Sequence, residues 1–161
     1  MKPVRQNKAE RAYLLNQQEA DGLRSLLHQF PITATIPARI SKTDADPEAV
    51  EREKLLNESL GEHRKELKQQ ATKLLAAKKF KKVAKGYWLT LNPEEHEILL
   101  QILNDIRVGS WYMLGEPEDL EPETPPPSER ESVFYNLMNL AGYYEAELLY
   151  AINGDLSPGH D

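Results

Sequence analysis

The sequence predicts a mainly α-helical fold of about four helices, one of them long, packed as a bundle with a minor two-stranded β ribbon. Three observations carry this. Apolar residues recur at helical spacing through long polar stretches in the middle and at the end of the chain. The extended run Ala12-Tyr13-Leu14-Leu15 and the alternating run Tyr87-Trp88-Leu89-Thr90-Leu91 are short. Leu15-Asn16-Gln17-Gln18-Glu19 and Leu91-Asn92-Pro93-Glu94-Glu95 repeat one strand-cap-helix unit, so the two strands are expected to pair and bring both helix starts together. With 161 residues, span 1–161 reads as a single domain that buries its own core.

The first helix starts at the cap Asn16, shows Leu23, Leu26, Leu27 and Phe30 on one face, and stops at Pro31, with Ile32 to Pro37 extended beyond it. The second starts at Asp46, with Pro47 in its first turn and Glu48 favoured by the helix dipole. It is expected to run to about Lys79, and Leu56, Leu60, Leu67 and Leu74 recur near heptad spacing. So narrow a stripe covers one partner helix. That partner belongs to the same chain or, in a homodimer through this long helix, to a second copy.

The third helix, from Pro93, carries Ile98, Leu99, Ile102, Ile106 and Met113 and ends at Leu114-Gly115, where glycine suits a C-cap. Gly109-Ser110 within it permits a close helix crossing or a kink, and so apolar a segment favours the crossing. Residues 116–127 are acidic and proline-rich and read as a surface linker. Ser128 and Glu131 form a capping box for the last helix, whose face is Val133, Phe134, Leu137, Leu140, Ala141, Tyr144, Leu148 and Ile152. It stops at Asn153-Gly154, and residues 155–161 read as a disordered tail.

The chain has no cysteine, which excludes disulfides, thiolate metal sites and cysteine nucleophiles. The N-terminus lacks a signal-type apolar region and no segment approaches the roughly 18 apolar residues of a membrane span, so a soluble cytoplasmic protein without membrane contact is expected. None of the four histidines has His-Glu-x-x-His or Glu-x-x-His spacing, and no glycine-rich phosphate loop or nucleophile elbow occurs. No enzyme, metal or cofactor is predicted.

Charge divides the chain. Residues 1–93 hold 18 Lys or Arg against 11 Asp or Glu, whereas residues 94–161 hold 2 against 15. The first explanation is mutual neutralisation inside one fold; the second is a site. The candidates for a site are Lys78, Lys79, Lys81, Lys82 and Lys85, in a stretch with no acid between Glu66 and Glu94 and with Phe80, Tyr87 and Trp88 nearby. As a grip they would contact mainly phosphate; as a connector they would suit a helix C-terminus and protect a strand edge.

DADPEAVEREKLLNESLGEHRKEL, LNPEEHEILLQILNDIRVGSWYMLG and the closing helix resemble the bacterial family of domain of unknown function 2017. Asp46-Pro47-Glu48-Ala49, Asp105-Ile106-Arg107 and Leu114-Gly115 carry the likeness most specifically. The resemblance implies a small helical cytoplasmic protein and, among actinobacterial relatives, a role in transcriptional regulation linked to oxidative stress. Cysteine-based sensing does not carry over, and Gly109-Ser110, Trp111-Tyr112 and the proline linker depart from the family. The resemblance singles out Asp105 and Arg107. A spacing of two puts them on different helix sides, so each needs its own partner, structural or functional. The reading that results is a non-enzymatic regulatory or adaptor protein acting through protein contacts, with DNA binding by the Lys78–Lys85 cluster as the alternative.

Overall fold

The computed structural model describes residues 1–7, 9–32, 47–76, 78–118 and 128–154. Among them lie four strands and four helices: β1 (Lys2–Gln6), β2 (Arg11–Leu15), α1 (Gln17–Gln29), α2 (Pro47–Leu74), β3 (Phe80–Val83), β4 (Gly86–Leu91), α3 (Pro93–Met113) and α4 (Glu129–Gly154). The mainly helical class holds. The two-stranded ribbon, however, gives way to a four-stranded antiparallel sheet of order β1-β2-β4-β3. The expected pairing of β2 with β4 forms its centre, from Arg11↔Leu91 to Leu15↔Tyr87. Each strand of that pair still presents an unpaired backbone edge, and β1 and β3 satisfy those edges.

The helix starts follow the repeated sequence unit. Asn16 and Asn92 each accept a hydrogen bond from the backbone N–H three residues on, and Glu19 and Glu95 accept from the cap N–H in return. α3 runs unbroken through Gly109 and Ser110, both buried, and packs along α4 more extensively than any other pair of elements in contact. It ends in a Schellman turn, with Glu116 N–H bonded to the Trp111 carbonyl and Gly115 at φ +85°.

α2 stops at Leu74 rather than near Lys79, because the chain must turn to enter β3, where Phe80 is buried opposite Leu89. Nor is it singular in length: it has 28 residues and α4 has 26. Leu67 and Leu74 of the heptad stripe are buried, with Ala71 beside them, whereas Leu56 of the stripe stays exposed along with Val50 and Leu55. α2 therefore packs within its own chain along its second half. On α4, Met138 joins the buried face and Val133 is exposed. Asp46, most of the expected linker and the 155–161 tail lie outside the described residues.

The buried apolar residues form one cluster fed by every helix and by the inner sheet face, including Tyr13, Leu15, Leu89 and Leu91. Two polar contacts fix its geometry. Tyr144 of α4 donates to the Glu19 carbonyl oxygen at 2.6 Å. Arg24 of α1 lies 4.6 Å from the ring centres of both Phe80 and Tyr87, clasping the β3–β4 hairpin. No helix among the described residues is long and apolar enough to cross a membrane.

Candidate functional site

The lysines lie on and beside the β3–β4 hairpin. Lys78, Lys81, Lys82 and Lys85 are exposed, while Lys79 pairs with Glu95 at the start of α3. Lys81 and Lys82 occupy successive positions of the edge strand β3, opposite Trp88 and Tyr87, so they belong to opposite sheet faces. The hairpin is firmly mounted by the Arg24 clasp, by the Lys79–Glu95 pair and by Gly86, whose backbone runs against Leu15.

Asp105 and Arg107 face different neighbours. Arg64 of α2 donates through Nε to Asp105 Oδ2 at 3.2 Å, with the arginine side chain only 9% exposed. Arg107, 48% exposed, stands 3.5 Å from Glu145 of α4. The first contact ties α2 to α3. The second sits at the margin of a groove between α3 and α4.

That groove, about 430 Å³, is lined by Arg107, Val108, Trp111, Met138, Asn139 and Gly142. Val108 and Trp111 form a second apolar stripe on α3, turned away from the buried Leu99, Ile102 and Ile106. The indole Nε1–H donates to the Pro117 carbonyl oxygen at 3.0 Å, which fixes an aromatic ring that is 37% exposed. The sequence reading passed over this pair. Its signal is there in retrospect, as two apolar residues three apart off the main stripe, and an i, i+4 pair on α4, Met138 and Gly142, supplying the opposite wall.

A smaller cavity of about 230 Å³ opens where the start of α3 meets β2, with Arg11, Leu91, Asn92 and His96 in its wall. His96 is buried and shares a 2.7 Å hydrogen bond with the Tyr13 hydroxyl. Burial, reinforced by the positive charge of Arg11, pushes its pKa from 6.5 down to about 4. The imidazole is therefore neutral at pH 7. In the unfolded chain it takes up a proton below about 6.5 but in the folded chain only near 4, so its contribution to stability is complete above 6.5 and lost as pH falls toward 4. Urea unfolding is expected to show a loss of about 2 kcal/mol from this group between pH 7 and pH 5, and His96→Gln should flatten that dependence. Equal pH dependence in both proteins would contradict the assignment. Among the described residues, no three His, Asp or Glu side chains converge as a metal site.

Among the described residues, the fold is that of a mainly helical protein with a four-stranded antiparallel sheet. No protein-family model, curated protein or solved structure matches the chain.

Proposed function

We propose that the chain is a non-enzymatic cytoplasmic regulatory or adaptor protein acting through protein contacts, with the α3–α4 groove as its docking face. Trp111 carries the reading: an exposed indole, already fixed by its bond to Pro117, offers large contact area at little ordering cost. None of the groove's lining residues is acidic, and Arg107 among them is 48% exposed while standing 3.5 Å from Glu145. The occupant that fits is an amphipathic helix of a partner protein, bearing an apolar anchor beside an acidic residue.

The test compares proteins retained from an extract of the source cells by the wild type and by Trp111→Ala, followed by titration of the partner's helix as a peptide. Trp111→Ala should keep its circular dichroism spectrum and lose about 2 kcal/mol of peptide binding, roughly thirtyfold. Arg107→Ala should weaken the peptide and cost roughly 1–3 kcal/mol of stability, since it leaves Glu145, whose side chain is 13% exposed, without its cation. A peptide that binds Trp111→Ala as well as wild type, or no partner distinguishing the two, would overturn the proposal.

A second reading, self-association along the first half of α2, draws on the exposure of Val50, Leu55 and Leu56. A monomeric mass in light scattering at micromolar concentration would remove it.

A further inference from the structure

We propose that the face of the sheet carrying Trp88 binds single-stranded nucleic acid, with Trp88 as the stacking platform and Lys2 and Lys81 as phosphate contacts. The four strands read KPVRQ, RAYLL, FKKV and GYWLTL, and they contain five Lys or Arg and no Asp or Glu. Such a composition is unexpected in a chain of net charge −6 whose last 68 residues hold 15 acids. Among the described residues, eight of those acids lie on α3 and α4, so negative charge gathers on these two helices and positive charge on the strands.

The two faces of the sheet differ in exposure, although Ala12, on the same face as Trp88 and outside the row described below, is buried at 1%. Tyr13, Leu15, Leu89 and Leu91 are at most 1% exposed on the inner side, whereas Trp88 is 38% exposed on the outer side. The registers place Lys81 opposite Trp88, Trp88 opposite Leu14, and Leu14 opposite Lys2, giving one outward row across all four strands. At a strand spacing of about 4.8 Å the two lysine Cα atoms lie roughly 14 Å apart. Their side chains can then reach phosphates on either side of a base stacked on the indole. Among the described residues no helix covers this row.

The occupant follows from the chemistry. A Trp between two lysines on an open face fits a ligand with exposed aromatic faces and regularly spaced anions, and a single strand offers both. A duplex buries its base faces, so an indole standing out from the sheet contributes nothing to it. Lys82 and Lys85 extend the positive field around the β3 edge and strengthen the attraction of any polyanion without adding base stacking.

The experiment titrates labelled oligo-dT of about 15 nucleotides, and the matching duplex, into the full chain at low and physiological salt. The chain has only two tryptophans, Trp88 and Trp111, so Trp111→Phe leaves Trp88 as the sole indole emitter. The expected result is preference for the single strand and quenching of that emission on binding. Trp88→Leu, which keeps apolar area on the face, should bind about tenfold more weakly with an unchanged melting temperature. Lys2→Ser with Lys81→Ser should reduce the slope of log affinity against log salt by about 1.4. No binding at low salt overturns the proposal. So does equal or tighter duplex binding, which would instead make the hairpin lysines a sequence-indifferent phosphate grip. Wild-type affinity in Trp88→Leu with unquenched emission overturns it too. None of these outcomes bears on the docking groove, which is tested separately through Trp111 and the partner peptide.

Discussion

Gly86→Ala is expected to destabilise the fold by about 3 kcal/mol or more, far beyond the usual effect of one added methyl group. The residue has φ +142°, a conformation that side chains rarely adopt. A Cβ there would overlap the Leu15 carbonyl oxygen and lie 3.1 Å from the Leu15 carbonyl carbon and 3.2 Å from Asn16 Cα. All three are backbone atoms at the junction where β2 passes into α1. Leu15 is held in register with Tyr87, and Asn16 is committed to the cap of α1. Relief by movement would therefore break the sheet end or the capping box. Gly61→Ala makes the same chemical change on α2, where a Cβ meets nothing within 4 Å. It should stabilise by about 0.5–1 kcal/mol through helix propensity. Urea unfolding of the two variants gives shifts of opposite sign if the close approach at Gly86 sets the position of the hairpin; a Gly86→Ala shift below about 0.5 kcal/mol would show that it does not.

What could be read from the sequence was local. Both Asn caps announce themselves by a Glu three residues later, and the likeness of the two units led to the central β2–β4 pairing. β1 and β3 escaped for physical reasons. KPVRQ carries Pro3 and a register shift between Pro3 and Arg5, so no clean alternation survives, and FKKV has a single buried apolar residue among lysines. Both are edge strands, recruited by the unpaired backbone of the central pair rather than by their own pattern. The site was partly visible for the same reason. Lysine density is a composition signal and was seen, but the outward row Lys81-Trp88-Leu14-Lys2 needs three strand registers and cannot be read along the chain. Likewise the sequence shows that Asp105 and Arg107 need separate partners, but not that Arg64 lies 41 positions earlier on a different helix.

Asp105→Ala is expected to cost about 3 kcal/mol, because it leaves the Arg64 guanidinium buried without its carboxylate. Arg64 occupies the gap in the leucine stripe of α2, between Leu60 and Leu67, where the heptad pattern would otherwise set an apolar residue against α3. A cation there is stable only while Asp105 Oδ2 accepts from its Nε. The reverse change, Arg64→Ala, should cost less, since Asp105 is 22% exposed and regains water. Replacing both, as Arg64→Met with Asp105→Leu, should return most of the lost stability, because a well-packed apolar pair often matches a buried ion pair. Denaturant unfolding of the four proteins completes the cycle, and an Asp105→Ala loss below about 1 kcal/mol would show that the pair is not the tie between α2 and α3. The double variant also separates stability from function. Asp105 and Arg107 project from one turn of α3 on different sides, one toward α2 and the other toward the groove. If the double variant is as stable as wild type but holds the partner peptide less well, the ion pair sets the orientation of α3 that the groove requires. If it holds the peptide as well, Asp105 serves the fold alone, and recognition lies with Arg107 and Trp111.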